Sequence, residues 1–132
     1  EEYHRINKIF ASHLVAFTAF VLYQRKFKKL DLYSLLRLPE EDLVLDYEEF
    51  KDSFEKVLAK VHRMYNAGEV GISPYLTGET EKIIEHGLKN VGMYHAKRPL
   101  ILNKENEVTT QDLNLLYYYH NRLAGYNLEQ YV

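Results

Sequence analysis

Leu14 to Tyr23 is the longest apolar stretch in the chain and sets the first limit on what it can fold into. It is about half of the ~20 residues needed to cross a bilayer, so its place is a protein interior. Ile9, Leu14, Phe17, Phe20 and Val21 recur at three- and four-residue steps, and no Gly or Pro interrupts the run from about Ile6 to Lys29. This predicts a buried helix, with Ser12 as a candidate cap. It ends in Gln24-Arg25-Lys26-Phe27-Lys28-Lys29, where cations meet the negative end of the helix macrodipole. A buried helix needs other elements to cover it. At 132 residues, with 46% apolar and 27% charged side chains, the chain has material for one folded domain around one core.

The covering elements are legible in outline. Asp31 is placed to cap a short helix to Leu36, with Leu32, Leu35 and Leu36 on one side and Pro39 beyond its end. Leu43-Val44-Leu45 is a brief extended segment or docking turn. Asp46 then caps a long helix through Tyr65, whose apolar stripe is Phe50, Phe54, Val57, Leu58 and Val61. Asn66-Ala67-Gly68 ends it, and Gly71 to Tyr75 reads as a connector. Thr77 or Gly78 starts the next helix, which runs to about Val91 on Ile83, Ile84 and Leu88 and stops at Gly92. Met93-Tyr94-His95 and Leu100-Ile101-Leu102 can pair with each other as a ribbon, or with the Val44 segment. Asn103-Lys104-Glu105-Asn106 is a turn. Thr110 is the expected cap of a last helix, Gln111 to about Ala124, with Leu113, Leu116 and Tyr117 facing inward and Gly125 closing it. The fold class is mainly α with a small β-ribbon, similar in outline to winged-helix domains.

Little here resembles a site for chemistry. The chain has no Cys, which excludes thiolate metal sites, a thiol nucleophile and disulfides. Its six His show no His-x-x-x-His spacing, so no metal site and no cofactor is expected. Phosphate-loop, dinucleotide and serine-elbow motifs are absent. The acidic runs Glu40-Glu41-Asp42, Glu48-Glu49 and Glu79 with Glu81 stand beside helix starts, where capping and the dipole explain them. A net charge of −2 supplies no global field for nucleic acid. Glu79, Glu81 and Glu85 on the helix before the ribbon would repel phosphates, although Lys97, Arg98 and Lys104 lie nearby. Arg25, Lys26, Lys28 and Lys29 form the one basic cluster that a phosphate or anionic lipid surface would recognise.

The remaining surplus is tyrosine, 12 residues with no Trp. Tyr117, Tyr118 and Tyr119 are consecutive on a helix and diverge by about 100° each, so they cannot share one core. At least one faces a rim or a partner. The motif Tyr118-Tyr119-His120-Asn121, the Ile6-Asn7 opening followed by Leu14-Val15-Ala16-Phe17, and the order of acidic helix, Gly-ended helix, ribbon and Tyr-rich helix together resemble one family. It is the post-catalytic region of the membrane-associated glycerol-3-phosphate acyltransferases. His120 stands where that family usually carries Arg.

The resemblance implies a non-catalytic accessory domain that packs on the catalytic domain of the same polypeptide. The parent would transfer an acyl chain from a thioester to glycerol 3-phosphate, at the cytoplasmic face of a membrane. The family's catalytic His-x-x-x-x-Asp, in which the His serves as general base, is missing here. Five positions after each His stand Ile9, Thr18, Ala67, Val91, Leu100 and Gly125. The chain begins at Glu1 without Met, so it is expected to be a piece of a longer acyltransferase, soluble by itself and unable to carry out the reaction alone. The rival expectations are a winged-helix module for nucleic acid or protein, and a scaffold that oligomerises through its Tyr-rich helix.

Overall fold

The computed structural model describes residues 8–39, 42–68, 70–72, 76, 78–90, 100–121, 123, 128 and 132. Helix α1 (Ala11–Lys26) buries Ala11 and every residue from Leu14 to Tyr23. A helix that is apolar on all sides must be wrapped on all sides. Three helices do this: α3 (Tyr47–Asn66), α4 (Thr80–Asn90) and α5 (Leu113–His120). Thr18, polar within this apolar run, donates its hydroxyl to the Leu14 carbonyl at 2.9 Å, so its burial leaves no unpaired donor.

The start of α1 differs from the sequence reading. Lys8–Ile9 form a short strand, β1, parallel to β3 (Gly71–Ile72), where only a connector was expected. The N-cap is Phe10, without a side-chain bond, and Ser12 lies inside the first turn. The preceding Ile6-Asn7 lies outside the described residues. At the other end Arg25 and Lys26 occupy the last turn, while Lys28 and Lys29 fall in the turn beyond it.

The capping carboxylates lie where the sequence placed them. Asp31 accepts the Ser34 N–H at 2.7 Å at the start of α2 (Leu32–Leu35), and Asp46 accepts the Glu49 N–H at 3.2 Å at the start of α3. Hydrogen bonds from Ser34, its backbone N–H first and then its hydroxyl, hold the Asp31 carboxyl below its usual range. Of the expected α2 stripe only Leu35 is fully buried; Leu36 is half-buried and Leu32 faces solvent. All five expected stripe residues of α3 are buried, and Gly68 follows with a φ of 80° that suits glycine.

Helix α4 starts at Thr80, later than Thr77 or Gly78, because Gly78 turns the chain with a φ of 110°. It buries Ile83, Ile84 and Leu88 and also Gly87. A Cβ at Gly87 would stand 2.8 Å from the Ala11 carbonyl oxygen and 2.8 Å from Val15 Cγ1, so glycine sets the close approach of α4 to α1.

A three-stranded antiparallel sheet lies beside the helices in the order β2 (Val44–Asp46), β5 (Glu107–Thr109), β4 (Ile101–Leu102). Leu45 faces Val108, and Leu102 faces Val108 from the other side. The Leu102 segment thus pairs with β5 and not directly with the Val44 segment, which flanks β5 on the other side; its other expected partner, Met93 to His95, lies outside the described residues. The turn between β4 and β5 is the expected one. Asn103 accepts the N–H groups of Glu105 and Glu107 at 3.0 and 2.9 Å, and Asn106 adopts a φ of 61°. Thr110 does not cap α5. Its hydroxyl accepts the Asp112 N–H at 3.1 Å, and Asp112 caps the helix by accepting from Leu115 N–H at 3.1 Å. The helix ends at His120, short of the expected Ala124; Gly125 lies outside the described residues.

Tyr23 ties α1 to the sheet. Fully buried, its hydroxyl donates to the Leu43 carbonyl at 2.9 Å and lies 3.2 Å from the Val108 carbonyl. Burial pushes the phenol well above its ordinary value, so it stays a donor at every physiological pH. Tyr23→Phe is expected to cost about 1–3 kcal/mol, because two buried carbonyls lose their donor. The linkage sign follows: the unfolded phenol ionises near pH 10 and the folded one only above it, so stability is level below about pH 10 and falls as pH rises further. Chemical denaturation of both proteins across alkaline pH checks this, the variant showing the shallower fall.

Candidate functional site

The Tyr-rich motif divides between the core and the surface. His120 is buried, 7% exposed, with its ring stacked on Phe17 at 5.1 Å and 6°, on Tyr117 at 5.8 Å, and tilted on Phe20 at 4.8 Å. Its Nδ1 lies 3.2 Å from the Asn121 side-chain oxygen. His120 is thus a latch that seats α5 on α1, an inward place that the sequence did not assign to it, beside the expected Tyr117. Tyr117 is half-buried against Phe20 at 5.0 Å. Tyr117 meets Phe20 while Tyr119 meets His13, so α5 runs against α1 in the opposite sense.

On the outer side four rings form a ladder. Phe10 meets His13 edge-on at 5.7 Å, His13 meets Tyr119 at 5.8 Å, and Tyr119 meets Tyr118 edge-on at 5.9 Å. Phe10 is 43% and Tyr118 53% exposed, so the ends of the ladder face outward. Large aromatic area gathered at one place is the composition of an interface core, with hydroxyl and imidazole groups at hand for polar contacts. Sequence reasoning found Tyr118 and Tyr119 but missed Phe10 and His13. The signal was weak, since a residue before a helix and one in its first turn are read as parts of the helix stripe.

The basic cluster is split by its contacts. The Arg25 guanidinium donates to the Val132 carbonyl. The Lys26 ammonium donates to the Val44 carbonyl at 2.7 Å and lies over the Phe27 ring at 5.7 Å. Lys28 and Lys29 are exposed. The structure therefore ties two of the four cations into the body of the domain and presents the other two to solvent.

An open groove of about 550 Å³ runs between α4 and β4. Tyr47, Ile84, Leu88, Ile101 and Leu102 line it, with Glu79, Glu81 and Glu85 opposed by Lys82 and Lys89 at its edge. Burial first, then the Glu81 carboxylate, pushes the Tyr47 hydroxyl up, with Lys51 opposing. Lys51 donates to Glu81 at 2.8 Å; that bond raises the ammonium and lowers the carboxyl, but so exposed a pair contributes little to stability. Among the described residues that line the groove, no nucleophile is hydrogen-bonded to a base. The exposed glutamates of α4 oppose a nucleic-acid backbone; Lys104 is exposed, and Lys97 and Arg98 lie outside the described residues.

Among the described residues no group of three or more His, Cys, Asp or Glu is placed to hold a metal, and no helix is long and apolar enough to cross a membrane. His62 shares a hydrogen bond with the Leu76 carbonyl at 2.8 Å, and His86 contacts Asn90 one turn on. Both are structural contacts. Of the acidic runs, Glu48, Glu49 and Glu81 stand in first helical turns, and Glu40-Glu41 lies outside the described residues. Comparison with family models, with curated proteins and with solved structures finds no match to this chain.

Proposed function

We propose that this chain is a non-catalytic accessory domain of a glycerol-3-phosphate acyltransferase and that it packs on the catalytic domain of the same polypeptide. The observation that carries the reading is the ladder Phe10, His13, Tyr119 and Tyr118. Two of its rings belong to the motif on which the family resemblance rests, and the ladder stands where α1 begins. A domain preceding this one in the chain would meet that end first. The sheet order β2-β5-β4, with α4 leading to the β4–β5 hairpin, supports the winged-helix outline of the proposed domain.

In this setting the acyl-transfer chemistry belongs to the preceding domain, which works at the cytoplasmic face of a membrane. This domain contributes position: α1 is the rigid centre, His120 fixes α5 on it, and the outer tyrosines bear on the catalytic half. The rival reading, a winged-helix module for nucleic acid, is opposed by Glu81 and Glu85 on α4, the helix that would enter the groove of a duplex, and by Glu79 just before it.

The test uses the parent polypeptide. Phe10→Ser combined with Tyr118→Ser is expected to lower acyl transfer to glycerol 3-phosphate roughly tenfold or more, the loss typical of interface aromatics. The same pair in the 132-residue chain should leave its thermal midpoint within a few degrees, since both side chains are exposed and Ser is a favourable N-cap. Unchanged transfer in the doubly substituted parent would remove the docking face.

A further inference from the structure

We infer that the corner from Lys28 to Arg37, at the far end of α1 from the aromatic ladder, docks on an anionic membrane surface and sets Leu30, Leu32 and Tyr33 into its interfacial layer. Leu30, Leu32 and Tyr33 are 39%, 38% and 69% exposed, three of the large apolar side chains left outside the core and all within four consecutive positions. Scattered exposed hydrophobics need no explanation, but a cluster does. From Arg25 to Arg37 the chain carries five cations and one carboxylate, Asp31. The carboxylate is occupied in capping α2. With Arg25 and Lys26 bound to carbonyls of the body, Lys28, Lys29 and Arg37 are the cations that flank the apolar positions.

The geometry suits a lipid interface more than a protein groove. Arg37 lies over the Tyr33 ring at 5.1 Å and donates to its hydroxyl at 3.2 Å, which places a guanidinium beside the polar tip of an outward aromatic ring. A phenol tip with adjacent cations fits the headgroup level, with leucines reaching the acyl boundary. Lys28 and Lys29 carry their charge on long apolar stems that lie along such a surface. The element is short, so its hold is reversible: cations near an anionic surface add up singly, and the apolar side chains extend the contact. The ~24 Å length of α1 separates this corner from the ladder, so the two surfaces can be occupied together. The inference rests on the corner itself and holds whichever domain precedes the chain.

The test is co-sedimentation of the 132-residue chain with vesicles of phosphatidylcholine alone and with about one-third phosphatidylglycerol, at low and physiological salt. Binding is expected to the anionic vesicles only and to weaken with salt. Lys28→Gln with Lys29→Gln should reduce partitioning on the order of thirtyfold, and Tyr33→Ser several-fold, with circular dichroism unchanged because these side chains are exposed. Absence of binding to anionic vesicles at low salt would overturn the inference. So would Tyr33→Ser and Leu30→Ser binding like the unaltered chain, which leaves plain adsorption, or full release by millimolar inorganic phosphate, which leaves an ion site.

Discussion

Phe20→Ala is expected to destabilise the domain by about 3–5 kcal/mol, the range for truncating a fully buried aromatic side chain. Phe20 is 0% exposed and meets both Tyr117 and His120, so the cavity opens directly beneath α5. The helix cannot sink into it freely, because Leu113 and Leu116 already pack against the core and Asp112 fixes its start. Single domains hold only about 5–15 kcal/mol in total, so the change removes a large share of the stability. Differential scanning calorimetry should show the midpoint falling by roughly 10–20 °C. The rings also form the seat of His120, and the near-ultraviolet circular dichroism of the tyrosines should weaken at temperatures where the far-ultraviolet signal remains. A loss under 1 kcal/mol would mean that α5 is not held through these rings.

Gly87→Val acts at the opposite face of α1 and in the opposite sense, by overfilling. Overpacking typically costs about 1–3 kcal/mol and occasionally more, and this site belongs at the upper end. One of the two atoms that a Cβ would strike is the backbone carbonyl oxygen of Ala11, which cannot rotate aside as a flexible side chain can. The other is a methyl of Val15, itself 0% exposed and without room to retreat. Relief requires α4 to move away from α1, exposing Ile83, Ile84 and Leu88 together. Glycine is intrinsically about 1 kcal/mol worse than alanine inside a helix, so a glycine here stands against propensity and is explained by the close crossing. Urea denaturation should show a lower midpoint with little change in slope. A variant as stable as the original would place the helices further apart than the described geometry.

These two sites show where the sequence was legible. Amphipathic helices declared themselves: the stripe of α3 and the carboxylates Asp31 and Asp46 follow from spacing and capping alone. Helix α1 was legible as buried but not in orientation, since a helix apolar on every side carries no periodic mark of which neighbour covers which face. The place of Gly87 was not legible, because the residue that needs its missing side chain, Ala11, is distant in sequence. Strand β5 was missed because Glu107-Val108-Thr109 is too short for alternation to register and its Thr run reads as a cap region. The β1–β3 pair was missed for the same reason.

The candidate surfaces were half legible. Consecutive tyrosines on a helix had to diverge, and they do, with Tyr117 inward, but His120 is the more deeply buried because its ring falls against Phe17 and Phe20 where α5 ends. The basic run could be counted but not sorted. The partners that tie down Arg25 and Lys26 are carbonyls of Val132 and Val44, which only the fold brings to them. Likewise Leu32 matched a buried stripe on spacing, and its exposure comes from a helix of only four residues that has one side to hide.

Whether this domain serves an acyltransferase whose chemistry lies elsewhere in the same polypeptide is decided by reading the gene upstream of the Glu1 codon. The expected result is a continuous reading frame encoding a further domain that contains His followed five positions later by Asp. An initiator Met directly before Glu1, or an upstream domain without that pair, would contradict it.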